Sequence, residues 1–120
     1  MDISKTITEL KKEPGFKENV GMILVHNGVV RGFARNDGAK VKTLEVTPDH
    51  GMIEELCREY SKRPGIFRVL AEAGSGVFEP GDDLLFILVA GDIRENVKPV
   101  LAEVLDRIKS EALKKREVTA

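Results

Sequence analysis

The sequence predicts an α+β domain in which helices pack on one face of an antiparallel sheet. Three observations lead to it. Strand-like apolar segments occupy 21–31, 40–46, 66–73 and 84–89, and stripes at helical spacing occupy 3–10, 48–60 and 94–113. Their order, α-β-β-α-β-β-α, brings strands in consecutive runs with helices between them. The stretch Arg35-Asn36-Asp37-Gly38 is a turn of the kind that joins antiparallel neighbours. With 120 residues the chain can bury one core without staples, so 1–120 is read as a single domain.

In the first helix Ile3, Ile7 and Leu10 share a face, Thr6 and Glu9 have the spacing of a capping box, and Glu13-Pro14-Gly15 ends it. From Gly21 to Arg31 a strand puts Met22, Leu24 and His26 on one face and Ile23, Val25 and Asn27 on the other. His26 is read as a hydrogen-bonded core or interface residue, and Gly28 as a bulge or a close backbone approach. The turn at 35–38 then returns Lys40 to Val46 as the antiparallel partner of that strand. Around this hairpin lie Arg31, Arg35, Lys40 and Lys42. They either solvate an edge strand or form a mobile basic loop over an anionic ligand.

Thr47-Pro48-Asp49 opens the second helix, with Thr47 as cap, Pro48 at the first position and Asp49 at the positive end. Ile53, Leu56, Cys57 and Tyr60 form its apolar stripe, which makes Cys57 a small core residue and not a nucleophile. Arg63-Pro64-Gly65 turns the chain into the strand Ile66 to Ala73. Gly74-Ser75-Gly76 precedes no clear helix and is read as a connection or bulge, not a phosphate loop. After the Pro80-Gly81-Asp82 turn, Leu84 to Val89 is a continuous apolar run, too short to span a membrane. It predicts a central strand covered on both faces.

From Arg94 a long helix with a basic end is expected to reach Glu117, its stripe formed by Val97, Val100, Leu101, Val104, Leu105, Ile108 and Leu113. Arg94, beside free helix N–H groups, is a candidate anion ligand. Lys109 and the run Lys114-Lys115-Arg116 lie near the other end, where complementing the helix dipole is the plainer explanation of basic residues.

Composition narrows the function. Nineteen Lys and Arg against twenty Asp and Glu, interleaved, give a net charge of −1, which argues against a general nucleic-acid binder. No signal-peptide pattern or membrane-spanning run is apparent, so a cytoplasmic protein without membrane contact is expected. The one cysteine permits no internal disulfide and no cysteine metal cluster, and His26 and His50 lack a ligand spacing, so no metal site is expected.

Four pieces, in order, resemble a known family. They are Gly28-Val29-Val30-Arg31 followed by Val41-Lys42-Thr43-Leu44-Glu45, Pro80-Gly81-Asp82 before the apolar strand, Arg94, and Lys109 with Lys115-Arg116-Glu117. Together they resemble the large, catalytic (MoaE-like) subunit of molybdopterin synthase, from about Val20 to Glu117. The chain departs from the family pattern at Ala73-Gly74 and Ile93, where histidine-arginine pairs have their places, and at Lys114, which stands at a tryptophan's place.

The resemblance implies an α/β-hammerhead fold and sulfur transfer. A small ubiquitin-like subunit would insert its C-terminal Gly-Gly thiocarboxylate, and cyclic pyranopterin monophosphate would become the dithiolene of molybdopterin. No metal or diffusible cofactor is implied, and the large subunit is expected to be a homodimer with a small subunit at each end. Lys109 and Lys115 are then the expected catalytic residues, and Arg31, Arg94, Arg35, Lys114 and Arg116 the expected substrate-binding residues. On one helix, fifteen residues at ~1.5 Å each would hold Arg94 and Lys109 roughly 22 Å apart, so a pocket shared across the dimer is expected. Two alternatives stand beside this. One is a homologue without catalysis that binds a ubiquitin-like tail or an anionic pterin-type ligand. The other is a regulatory homodimer that binds an anionic effector through Arg31, Arg35 and Arg94.

Overall fold

The computed structural model describes Met1–Ala120 as an α+β fold built on two three-stranded antiparallel sheets. The elements are α1 (Ile3–Leu10), α2 (Phe16–Asn19), β1 (Met22–Val29), β2 (Val41–Pro48), α3 (His50–Ser61), β3 (Ile66–Ala73), β4 (Gly76–Phe78), β5 (Asp83–Gly91), α4 (Arg94–Arg107), a π-helical turn (Ile108–Ala112) and β6 (Leu113–Thr119). One sheet has the order β1-β5-β3, the other β4-β2-β6. No helix is long and apolar enough to cross a membrane.

β5 occupies the centre of its sheet, as its apolar run predicts. Leu85, Ile87 and Val89 join the larger core with α3 and α4, while Leu88 and Ala90 face a smaller cluster formed with Leu10, Ile7 and Phe16. Helices therefore cover both faces of this sheet, not one. A strand with two buried faces needs two apolar covers, and the short α1 and α2 supply the second.

Three further expectations are corrected. The turn at 35–38 exists, closed by the Ala34 N–H donating to the Ala39 carbonyl at 2.7 Å, but its arms do not continue as a paired hairpin. Only a bridge between Phe33 and Lys40 joins them. β1 pairs with β5 from Met22↔Gly91 to Val29↔Asp83, and β2 pairs with β4 and β6. The apolar β5 offers β1 a longer buried ladder than a charged β2 does, and the two arms diverge into different sheets.

The long C-terminal helix is also shorter than expected. It stops at Arg107, passes through the π turn and becomes β6, which runs antiparallel along β2 from Pro48↔Leu113 to Val41↔Thr119. Leu113 thus belongs to a strand. Helix propensity loses here to the ladder on the otherwise unpaired edge of β2.

The caps differ as well. Asp2 and Asp49, not Thr6 and Thr47, accept the capping hydrogen bonds, from the Lys5 and Met52 backbone N–H groups at 3.1 and 3.0 Å. Thr47 and Pro48 are still in β2, which delays the helix to His50.

Candidate active site

The β1–β5 ladder slips one register between Gly28 and Val29, a bulge that ends the regular pairing. Beyond it the chain crosses towards the second sheet, and a cavity of about 200 Å³ lies where the two sheets meet. Its apolar wall comes from Val29, Val30, Val41, Leu44, Leu84 and Leu85, and its polar groups are His26, Arg31, Lys109, Lys115 and Glu117.

Each cation arrives from a different element. Arg31 follows β1 directly, and its guanidinium lies 5.5 Å from the centre of the Phe33 ring, a cation–π contact within the exposed loop. Lys109 is carried by the π turn. There Ile108 and Ala112 stay buried in the core while Lys109 between them reaches the cavity. Single π turns are frequent at functional sites. Lys115 and Glu117 come from one face of β6, since alternate strand residues point the same way.

The field in the cavity is positive. Burial first, and then Lys109 and Arg31, hold the Lys115 ammonium below its ordinary pKa, against the opposing influence of Glu117. Burial, then Lys109 and Lys115, push the His26 imidazole below its ordinary value too. Like charges crowded into a partly dry recess are costly alone, and they favour an entering anion for the same reason.

The other expected site residues lie elsewhere. β6 alternation sends Lys114 and Arg116 away from Lys115. Lys114 borders a different groove with Thr47, His50 and Glu111, and Arg116 pairs with Glu45 at 2.7 Å. Arg35 is exposed in the turn beyond Arg31 and does not line the cavity. Arg94, its side chain 78 % exposed, pairs with Glu95 at 3.2 Å at the far end of α4. The helix start beside it already has an anion: the Asp92 carboxylate accepts from the Ile93 N–H at 2.6 Å and from Asn96 at 2.9 Å. These bonds, Asn96 foremost, hold the Asp92 pKa below the usual carboxylate range.

The expectation of a hydrogen-bonded His26 is corrected, and Glu117 was not foreseen as a cavity residue. His26 is on β1 opposite Ile87, and its Nε2 is buried without a hydrogen-bond partner. A signal was present in Gly28, two residues on and on the same face: a Cβ there would stand 3.0 Å from Nε2. Cys57 keeps its core reading, half-buried on α3 with its thiol pushed up to about 11 by burial and Glu54.

Comparison with known proteins places this geometry among relatives. A family model described as "MoaE protein" matches residues 1–111. A curated protein of Haloferax volcanii named probable molybdopterin synthase is 28% identical over 120 residues, which cover 96% of this chain and 46% of that protein. The chain therefore spans about half the length of that relative. A solved structure of molybdopterin cofactor biosynthesis protein E from Burkholderia multivorans aligns with a TM-score of 0.73 at 25% identity, over 100% of this chain and 85% of the other. The solved complex of subunits 1 and 2 of molybdopterin-converting factor from Helicobacter pylori contains a chain that aligns with a TM-score of 0.71 at 15% identity, over 99% and 80%.

Proposed function

Because this chain belongs to the MoaE protein family, we propose that it is the large subunit of a molybdopterin synthase. It transfers sulfur from the C-terminal thiocarboxylate of a small ubiquitin-like carrier to cyclic pyranopterin monophosphate, in molybdenum cofactor biosynthesis. The observation that carries this reading is the meeting of Arg31, Lys109 and Lys115 in one cavity from three separate parts of the chain. Both reactants are anions, and a recess that gathers cations against an apolar wall suits both. The Helicobacter pylori relative was solved as a complex of two subunits, which supports a second subunit as partner here.

In this reading the Arg31 guanidinium holds phosphate through its planar fork. Lys109 stabilises the thiocarboxylate and the charge that develops as its sulfur attacks. Lys115, its ammonium crowded by Lys109 and Arg31, shares that charge and steers the carrier's C-terminal tail. Arg94 belongs to the site only if a second protomer brings it there, and the homodimer is proposed on that ground. Lys114, Arg116 and Arg35 keep at most a peripheral role in guiding the carrier's surface.

The test is reconstitution. Purified chain, thiocarboxylated carrier and the cyclic precursor should yield dithiolene product. The departures at Ala73-Gly74 and Ile93 favour a second reading, a binding module without turnover; carrier-tail binding by calorimetry with no product selects it.

A further inference from the structure

The Nε2 of His26 is the one buried polar side-chain atom in the chain that lacks a partner, and the roles given to the cations leave it without a task. A desolvated imidazole nitrogen left unbonded is costly, and in a cavity wall such a group points to a catalytic role or to a partner that enters. The groups facing it are Lys109 from the π turn, Lys115 and Glu117 from β6, and Arg31 beyond the bulge. From β5 come only the apolar Leu84, Leu85 and Ile87, the last two opposite Gly28 and His26 in the ladder. The second imidazole torsion is soft, so the ring can turn a nitrogen into the cavity at little cost. Gly28 leaves the space beside it open.

Sulfur transfer demands a base at this place. Once the thiocarboxylate sulfur has bonded to the substrate carbon, the carrier is held as a thioester. Water must add to its acyl carbon and the carbon–sulfur bond must break, giving carrier carboxylate, substrate thiolate and two protons. Ammonium and guanidinium groups cannot take a proton from that water. A neutral imidazole can, and so can the Glu117 carboxylate; of the two, the imidazole nitrogen is the buried one without a partner. Resting on the sulfur-transfer reading, we propose that His26 is the general base that removes a proton from the water cleaving the acyl–sulfur bond. Burial first, and then Lys109 and Lys115, disfavour its protonation between turnovers, and the cations stabilise the departing thiolate.

The test is a single turnover with thiocarboxylated carrier and cyclic substrate, quenched in acid, with the carrier–substrate thioester followed by mass spectrometry. In His26→Gln the thioester should form at the wild-type rate but be released about 100- to 1,000-fold more slowly. The low-pH limb of the wild-type release profile should be absent from the variant. In His26→Ala, added imidazole should restore release. Unchanged release in His26→Gln, or a loss shared equally by formation and release, overturns the proposal. So does Glu117→Gln if it alone removes the low-pH limb. A wild-type chain that gives no product overturns the sulfur-transfer reading, and this proposal with it.

Discussion

At the scale of single residues, two groups in the cavity tie stability to protonation, and both make predictions. The folded chain resists protonation of His26, so as pH falls through its ordinary value of 6.5 the unfolded chain takes up a proton that the folded one refuses. Stability contributed by neutral His26 is present above that pH and is lost as pH falls towards the lower folded value. Denaturant titrations at pH 7.5 and 5.5 should show this loss in wild type and a smaller one in His26→Gln. Equal losses would contradict it. Lys115 has the same sign further up the scale: its charge is costlier in the folded chain than in the unfolded one. Because Lys115 is exposed and its charge is screened by solvent, Lys115→Gln should leave the melting temperature unchanged or slightly raised while removing most activity. A lower melting temperature would mean that the cations are not in conflict. Arg31, Lys109 and Lys115 were legible as candidates through family resemblance. His26 was not, because what singles it out is the absence of a partner, and that depends on neighbours drawn from four segments.

At the scale of elements, what could be read depended on whether one period dominated. The apolar run in β5 admits only a buried strand, and β3 matches the expected Ile66–Ala73. The segment 113–119 is short and mostly charged, so Leu113 fell on a helical stripe as easily as on a strand face. Its state was decided by the edge of β2, far away in sequence. That decision also separated Lys115 from Lys114, since a strand sends neighbours to opposite faces where a helix would have kept the question open. The Gly74 connection tests the packing between β3 and β4. A Cβ at Gly74 would stand 2.5 Å from Cζ of Phe78, which packs on the core beside β2. Gly74→Ala should therefore cost about 1–3 kcal/mol in urea unfolding by forcing Phe78 out of place. A cost within experimental error would show that the ring moves freely and that β4 is loosely held.

At the scale of the whole molecule, the chain is elongated, 51 × 25 × 25 Å, with Arg94 and Lys109 at opposite ends of the α4 segment. If both serve one reaction, two protomers must share each site. Light scattering should then give about twice 13.3 kDa. Mixing inactive Arg94→Ala and Lys109→Ala chains should restore about a quarter of wild-type turnover, because half the dimers would carry one intact site of two. No recovery after subunit exchange would place Arg94 outside the reaction. The central claim is narrower than the dimer: that the cavity between the sheets, and not basic charge near the C-terminus in general, performs the sulfur transfer. Comparing Lys109→Ala with Lys114→Ala in dithiolene formation tests it most directly. A catalytic cavity predicts at least about a 100-fold loss for Lys109→Ala and near wild-type turnover for Lys114→Ala. Equal losses, or an active Lys109→Ala, would contradict it.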